Sequence, residues 1–198
     1  MANGIEIVTI LGSVRPDNFT GKALGLVEDQ LRTEHKVQVT RIDPAKLTLG
    51  LPGQKVAGND AKEMQELVGR ATGVVLSTPE YHGSFSAALK LVIENLGFPS
   101  VLAGKPISML GVAAGRIGAI KSLEQLRGVV SHVGALPMPT PISVAGVRGI
   151  FDADGNCTDP GTEKAVRGIG DNLMGFIHSH LCPAITLERL ARGEAAPS

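Results

Sequence analysis

The sequence has no tryptophan, one tyrosine and five phenylalanines among its 198 residues. Aliphatic side chains must therefore build the core, and the one tyrosine ring, Tyr81, is conspicuous wherever it borders a ligand. Two cysteines, Cys157 and Cys182, stand 25 positions apart in no CxxC pattern, which argues against a disulfide scaffold or thiol redox motif and suits a reducing compartment. Net charge is also missing: 19 basic residues meet 19 acidic ones, so no general positive field attracts a phosphate backbone or an anionic lipid surface. Nucleic acid and membrane are set aside as partners. No apolar run approaches the ~18–20 residues that span a bilayer, and the opening MANGIEIVTILGSVR lacks a basic stretch followed by a cleavage site. The expected location is the cytoplasm.

What is present is 43% hydrophobic and arranged with alternating periods. Ile5–Leu11 is a nearly all-apolar run ending at Gly12, the pattern of a strand covered on both faces. Leu24, Val27 and Leu31 recur at helical spacing, and Val37, Val39 and Ile42 alternate as a second strand. A helix marked by Met64, Leu67, Val68 and Ala71 precedes a short buried strand over residues 73–78. A third helix spans about Ser86–Leu96, a fourth strand opens at Lys105-Pro106, and Ile120, Leu123, Leu126, Val130 and Val133 mark a fourth helix. The segment Ala135–Ala145 reads as a strand confined to an edge, because Pro137, Pro139 and Pro141 cannot donate to a central ladder. Val166, Ile169, Leu173, Phe176 and Ile177 form a closing helix. One domain over residues 1–187 and a flexible tail over 188–198 are expected.

Five strands alternating with five helices specify an α/β doubly wound parallel sheet with helices on both faces, and the five-stranded count favours the flavodoxin-like order. In such sheets ligands sit outside the carboxyl ends of the strands where the chain reverses direction, so three loops should carry the chemistry. The first, GSVRPDNFT, places Ser13, Arg15, Asn18 and Thr20 at a helix N-terminus, where backbone N–H groups, hydroxyl and amide donors and one guanidinium suit a phosphate monoester. It is neither a Walker loop nor a dinucleotide glycine motif, and Asn18 or Thr20 could equally serve only as a helix cap. The second loop, TPEYHGSFSAALK, sets Tyr81 beside a rigid Pro79 and a permissive Gly83, a surface that suits a planar ring; an ordinary turn with a solvated His82 is the plainer reading. The third, AAGRIG, allows close backbone approach at Ala114 and Gly115.

Together, GSVR followed by NFT, then TPEYH with a helix containing Leu89-Lys90, then LAGKP at residues 102–106, resemble the NADPH-dependent FMN reductase family, which includes quinone, azo-dye and chromate reductases. The resemblance spans about Ile5–Val133 and implies a flavodoxin-like fold. It implies that FMN is bound with its phosphate on Ser13, Arg15, Asn18, Phe19 and Thr20. Pro79, Glu80, Tyr81, His82 and Gly83 would border the isoalloxazine ring, with Ala114 and Gly115 at a second ring edge. Arg116 is less typical of the family, and some relatives carry asparagine where His82 stands. NADPH or NADH would be the co-substrate and a quinone, azo compound, chromate or free flavin the small-molecule acceptor. Because the cofactor carries the redox chemistry, no catalytic side chain is assigned. The family also pairs through the helices after strands three and four, which implies a homodimer or homotetramer; the third helix, apolar nearly all round, suggests a second buried face.

A flavodoxin-type electron carrier serving protein partners is the rival reading, opposed by the neutral charge and the absence of tryptophan. A phosphoacceptor receiver would need acidic residues where Gly12-Ser13 and Thr78-Pro79 stand. Asp152, Asp154, Asn156 and Glu163 have a calcium-loop spacing, but Cys157 replaces its turn glycine, so DADGN reads as a surface turn. His178, His180 and Cys182 cannot share one helical face, and no metal site is assigned.

Overall fold

A computed structural model describes residues 4–192. The first strand, β1 (Glu6–Leu11), runs parallel to β2 (Gln38–Ile42) on one side and to β3 (Gly73–Tyr81) on the other, and β3 runs parallel to β5 (Pro106–Val112). The order β2-β1-β3-β5 continues to two short strands, β6 (Leu136–Pro137) and β7 (Ile142–Val144), both beside β5. This is the flavodoxin-like doubly wound order. The chain reverses between β1 and β3, so a crevice opens there past the carboxyl ends of the strands.

Side chains alternate across the central strands and feed two cores. On one face Ile7, Leu11, Val75 and Leu110 pack with Leu24, Val27 and Leu31 of α1 (Phe19–Thr33) and Val166, Ile169 and Leu173 of α5 (Pro160–Phe176). On the other, Val8, Ile10, Val74, Leu76, Ile107 and Met109 meet α2 (Ala61–Arg70), α3 (Ala87–Glu94) and α4 (Ile120–His132). Thr9 faces α1 and donates to Glu28 at 2.6 Å; Arg41 grips the same buried carboxylate at 2.7 and 2.8 Å, which satisfies a charge that would otherwise be costly to bury. Among the described residues, no helix is long and apolar enough to cross a membrane.

Several element bounds differ from the sequence expectation. The edge strand expected across Ala135–Ala145 is two strands: its prolines remove donors, and Thr140 turns the chain in a left-handed conformation at φ +59°. β3 does not stop at Thr78 but continues to Tyr81 and pairs with a two-residue strand, β4 (Ser84–Phe85), so the sheet has seven strands rather than five. The closing helix begins at Pro160, earlier than its apolar stripe, because Asp159 caps it by accepting from Thr162 N–H at 2.6 Å. That bond holds the Asp159 carboxyl below the usual carboxylate range. A π turn over Ile177–Leu181 leads into α6 (Cys182–Ala191). The expected tail from Glu188 is thus helical to Ala191, and residues 193–198 lie outside the described residues. In α3, Leu89, Val92 and Ile93 are buried, as is Leu96 just beyond it, and Leu91 is half-buried. Much of the apolar surplus read from this helix is therefore absorbed by the chain's own core.

Candidate functional site

The loop after β1 is shaped by a close approach that only glycine permits. Gly12 N–H donates to Ser77 O at 2.8 Å, and a Cβ on Gly12 would lie 2.3 Å from that same oxygen. The next residue, Ser13, is 3% exposed, and its Oγ is a buried oxygen with no hydrogen-bond partner among the described residues. Arg15 is exposed and makes no ion pair among the described residues; its guanidinium lies 5.0 Å above the centre of the Tyr81 ring. Asn18 is the N-cap of α1: its Oδ1 accepts from Gly21 N–H at 2.7 Å and its Nδ2 donates to Arg15 O at 2.7 Å. The capping alternative therefore describes the Asn18 amide, which is committed to the loop itself. Phe19 packs toward Phe151 with ring centres 6.2 Å apart, and Thr20 is buried in the first turn of α1.

The second wall is the hairpin of β3 and β4. Glu80 pairs with Phe85 and Tyr81 with Ser84, leaving His82-Gly83 as a two-residue turn with φ +51° and +74°. Positive φ at both positions is the geometry of a type I′ turn, which suits glycine, asparagine and, less often, histidine. Side chains of α4 and of the hairpin tie the two together. Glu80 accepts from Ser122 N–H at 3.1 Å, satisfying an amide in the first turn of α4; Gln125 donates to Gly83 O at 2.8 Å and accepts from Ser84 Oγ at 2.7 Å.

The third wall combines the loop after β5 with the corner after β7. Ala113 N–H donates to Val144 O, Val147 N–H to Ala113 O and Gly146 N–H to Gly115 O, at 2.9, 3.1 and 3.0 Å. Between the three walls lies a cleft of about 500 Å³ bordered by Ser13, Arg15, Asn18, Phe19 and Thr20, by Pro79, Glu80 and Tyr81, and by Ala114. His82, Gly83 and Gly115, also expected at the site, do not border it: the first two form the hairpin turn docked on α4, and Gly115 accepts from Gly146. Val147 and Arg148 do border it and were not expected there, because they follow the short edge strand β7 in a segment without a phosphate-binding motif. Arg116 and Ile117 are exposed near its rim loop.

The cleft suits an anionic, partly planar guest. Arg15 and Arg148 make no ion pair among the described residues, whereas the acidic groups on the rim are engaged: Asp17 pairs with Lys22 at 3.1 Å, and Glu80 caps α4. Ser13 Oγ offers a donor already stripped of water, so the cost of its burial is recovered only when a ligand accepts from it. Its volume is within the range of small-molecule sites, about 300–1,000 Å³. Elsewhere, the DADGN segment is a turn in which Asp152 accepts from Asn156 N–H at 2.8 Å and Nδ2 at 3.1 Å.

Residues 5–148 match the family model described as NADPH-dependent FMN reductase. An NADPH azoreductase of Bacillus sp. (strain OY1-2) is 31% identical over 144 residues, covering 73% of this chain and 79% of the relative. A quinone reductase of Escherichia coli (strain K12) is 28% identical over 187 residues, 88% of this chain and 93% of its own. Among solved structures, the flavoenzyme NAD(P)H:(acceptor) oxidoreductase of Paracoccus denitrificans superposes with a TM-score of 0.74 at 22% identity, covering 89% of this chain and 98% of that one.

Proposed function

Because this chain belongs to the NADPH-dependent FMN reductase family, we propose that its three-walled cleft holds FMN and that the protein uses NADPH or NADH to reduce a small-molecule acceptor, a quinone or an azo compound in the first instance, with chromate and free flavin as further candidates. The observation that carries the reading is Ser13 Oγ, a buried donor at the foot of α1 without a partner among the described residues. It takes the phosphate together with the first-turn amides of α1 and the Arg15 guanidinium. Phe19 and Thr20 support this end from the first turn of the helix, and Asn18 keeps the loop in shape. Pro79, Glu80 and Tyr81 border the ring, with Ala114 opposite; His82, Gly83 and Gly115 serve as backbone that shapes the two ring-edge segments.

Bound FMN would supply the two-electron redox chemistry between nicotinamide and acceptor. The residues of the chain bind and orient. Ala114 leaves a flat approach to the cleft because it carries only a methyl group. Tyr81, 37% exposed, stands at the mouth, where its ring can cover a nicotinamide or an aromatic acceptor. No side-chain acid or base is required of the protein.

Pairing of two copies is part of the same reading. Phe98 is 99% exposed beside a groove of about 450 Å³ between α3 and α4, bordered by Ile93, Val129 and Val133. Light scattering at micromolar concentration should report a dimer or tetramer. Two free, half-buried cysteines support a cytoplasmic location. The deciding experiment for the function is an absorbance spectrum of the purified protein with FMN, followed by anaerobic NADPH. The flavin band should appear with the protein and bleach on addition; a protein that takes up no flavin overturns the reading.

A further inference from the structure

Behind the cleft, two buried hydroxyls, Thr78 and Ser86, and the backbone carbonyl of Ser77 join the floor of the first loop to β3 and the N-terminus of α3. Ser77, Thr78 and Ser86 are 0%, 0% and 3% exposed. Ser86 Oγ donates to Gly12 O at 2.5 Å and accepts from Leu89 N–H at 3.1 Å. Its own N–H donates to Thr78 Oγ1 at 3.0 Å, and that hydroxyl donates in turn to Pro79 O at 2.8 Å. With Gly12 N–H on Ser77 O, both polar groups of Gly12 are held from the rear.

The peptide that follows is thereby oriented. In a planar trans peptide the carbonyl and the next N–H point in opposite directions, and the Gly12–Ser13 bond is trans. Since Ser86 draws the Gly12 carbonyl toward α3, the Ser13 N–H is turned away from α3. Among the described residues that N–H has no hydrogen-bond partner, and neither does the Ser13 hydroxyl. Two donors of one residue are thus left for a ligand by a bond made on the other side of the chain.

We propose that Ser86 is a positioning residue for phosphate recognition: by anchoring the Gly12 carbonyl it aims the Ser13 N–H, alongside Ser13 Oγ, at a phosphate monoester, and so sets the preference for FMN over riboflavin. The inference rests on the assignment of FMN to the cleft. Ser86 touches no cofactor itself and acts through one peptide plane. A hydroxyl that merely capped α3 would change stability and would act on both flavins alike.

The test is a pair of fluorescence titrations of the apo-protein, with FMN and with riboflavin, on wild type, Ser86→Ala and Ser86→Thr. In Ser86→Ala the affinity for FMN should fall by about tenfold and that for riboflavin by less than about twofold, because the weakened bond is one that only the phosphate accepts. Ser86→Thr keeps the donor and the acceptor and should restore the FMN-to-riboflavin ratio. Asp159→Ala, which removes the cap of α5 at a residue that does not border the cleft, should lower Tm and leave the ratio unchanged. Should Ser86→Ala fail to fold, Ser86→Cys gives the same reading with a weak donor in place of a strong one. Equal losses for both flavins, or an unchanged ratio, overturn the role of Ser86 and leave the cofactor assignment standing. A wild-type protein that binds neither flavin overturns both.

Discussion

Where the first loop leaves the sheet, backbone contacts to β3 hold it: Gly12 N–H lies on Ser77 O, and a glycine is needed because a side chain would strike that oxygen. The hairpin from Pro79 to Ser84 has left the sheet core when it reaches the cleft, and there α4 holds it through Glu80 on Ser122 N–H and Gln125 on Gly83 and Ser84. The two walls thus face one cleft with different support. One is rigid because it is part of the parallel sheet and leaves its donors free; the other is as rigid as its attachment to α4. With FMN seated as proposed, the phosphate end would be held tightly and the ring end would admit successive partners, which suits that division.

The comparison is broken most severely at Gly12. Gly12→Ala should destabilise the fold by about 3 kcal/mol, the upper part of the range for overpacking, since the contact is with backbone that cannot rotate away. For a domain of this size that is a fall in Tm of roughly 6–12 °C, measurable by thermal unfolding. An unchanged Tm would mean that the loop is free of the sheet.

Arg15 stands between the walls and sharpens the distinction. Arg15→Ala should weaken FMN binding by about ten- to a hundredfold through loss of a charge-assisted bond. If its main role were instead to lie over Tyr81, riboflavin would weaken to the same extent, and titration with the two flavins separates the cases.

The ring wall should respond in catalysis more than in cofactor binding. Tyr81→Ala should raise KM for the nicotinamide or the acceptor severalfold, with a smaller change in FMN affinity, the pattern of lost ground-state binding. His82→Asn should keep FMN and most turnover. The residue occupies a left-handed turn at φ +51°, a conformation asparagine adopts readily, and its ring does not border the cleft. Steady-state kinetics with flavin content measured in parallel decides this; a nearly inactive His82→Asn that retains its flavin would assign the imidazole a chemical part.

The smallest effect is expected at Gln125. Gln125→Ala removes two uncharged bonds at the exposed tip of the hairpin and should lower the affinity for FMN and for riboflavin equally, by about fivefold. A loss confined to FMN would contradict the division between the walls.

How much of this was legible beforehand depended on the range of the interaction. Runs such as Ile5–Leu11 and Gly73–Leu76 identify buried strands by composition alone, and helical spacing identifies α1, α4 and α5, because periodicity is local. Together with the alternation of elements these specify a doubly wound sheet, for which few handed solutions exist, and the strand count favours the flavodoxin-like order. The first loop was legible for the same reason: its glycine, hydroxyls and arginine lie within nine residues of a strand end. In sequence the hairpin looks like a loop because Pro79 and His82-Gly83 carry turn signals and β4 is only two residues long, while the bonds that hold it to α4 join residues about 40 positions apart, such as Glu80 and Ser122. Arg148 and Ser86 were illegible as site components on the same ground. An exposed arginine after an edge strand and a serine capping a helix are ordinary in sequence, and only the folded chain brings one to the cleft and sets the other behind Gly12, 74 residues away. Local composition therefore determined the layers and which loops face the ligand, whereas the tertiary structure decided which donors remain unpaired there, since hydrogen-bond satisfaction depends on partners that the chain meets only after it has folded.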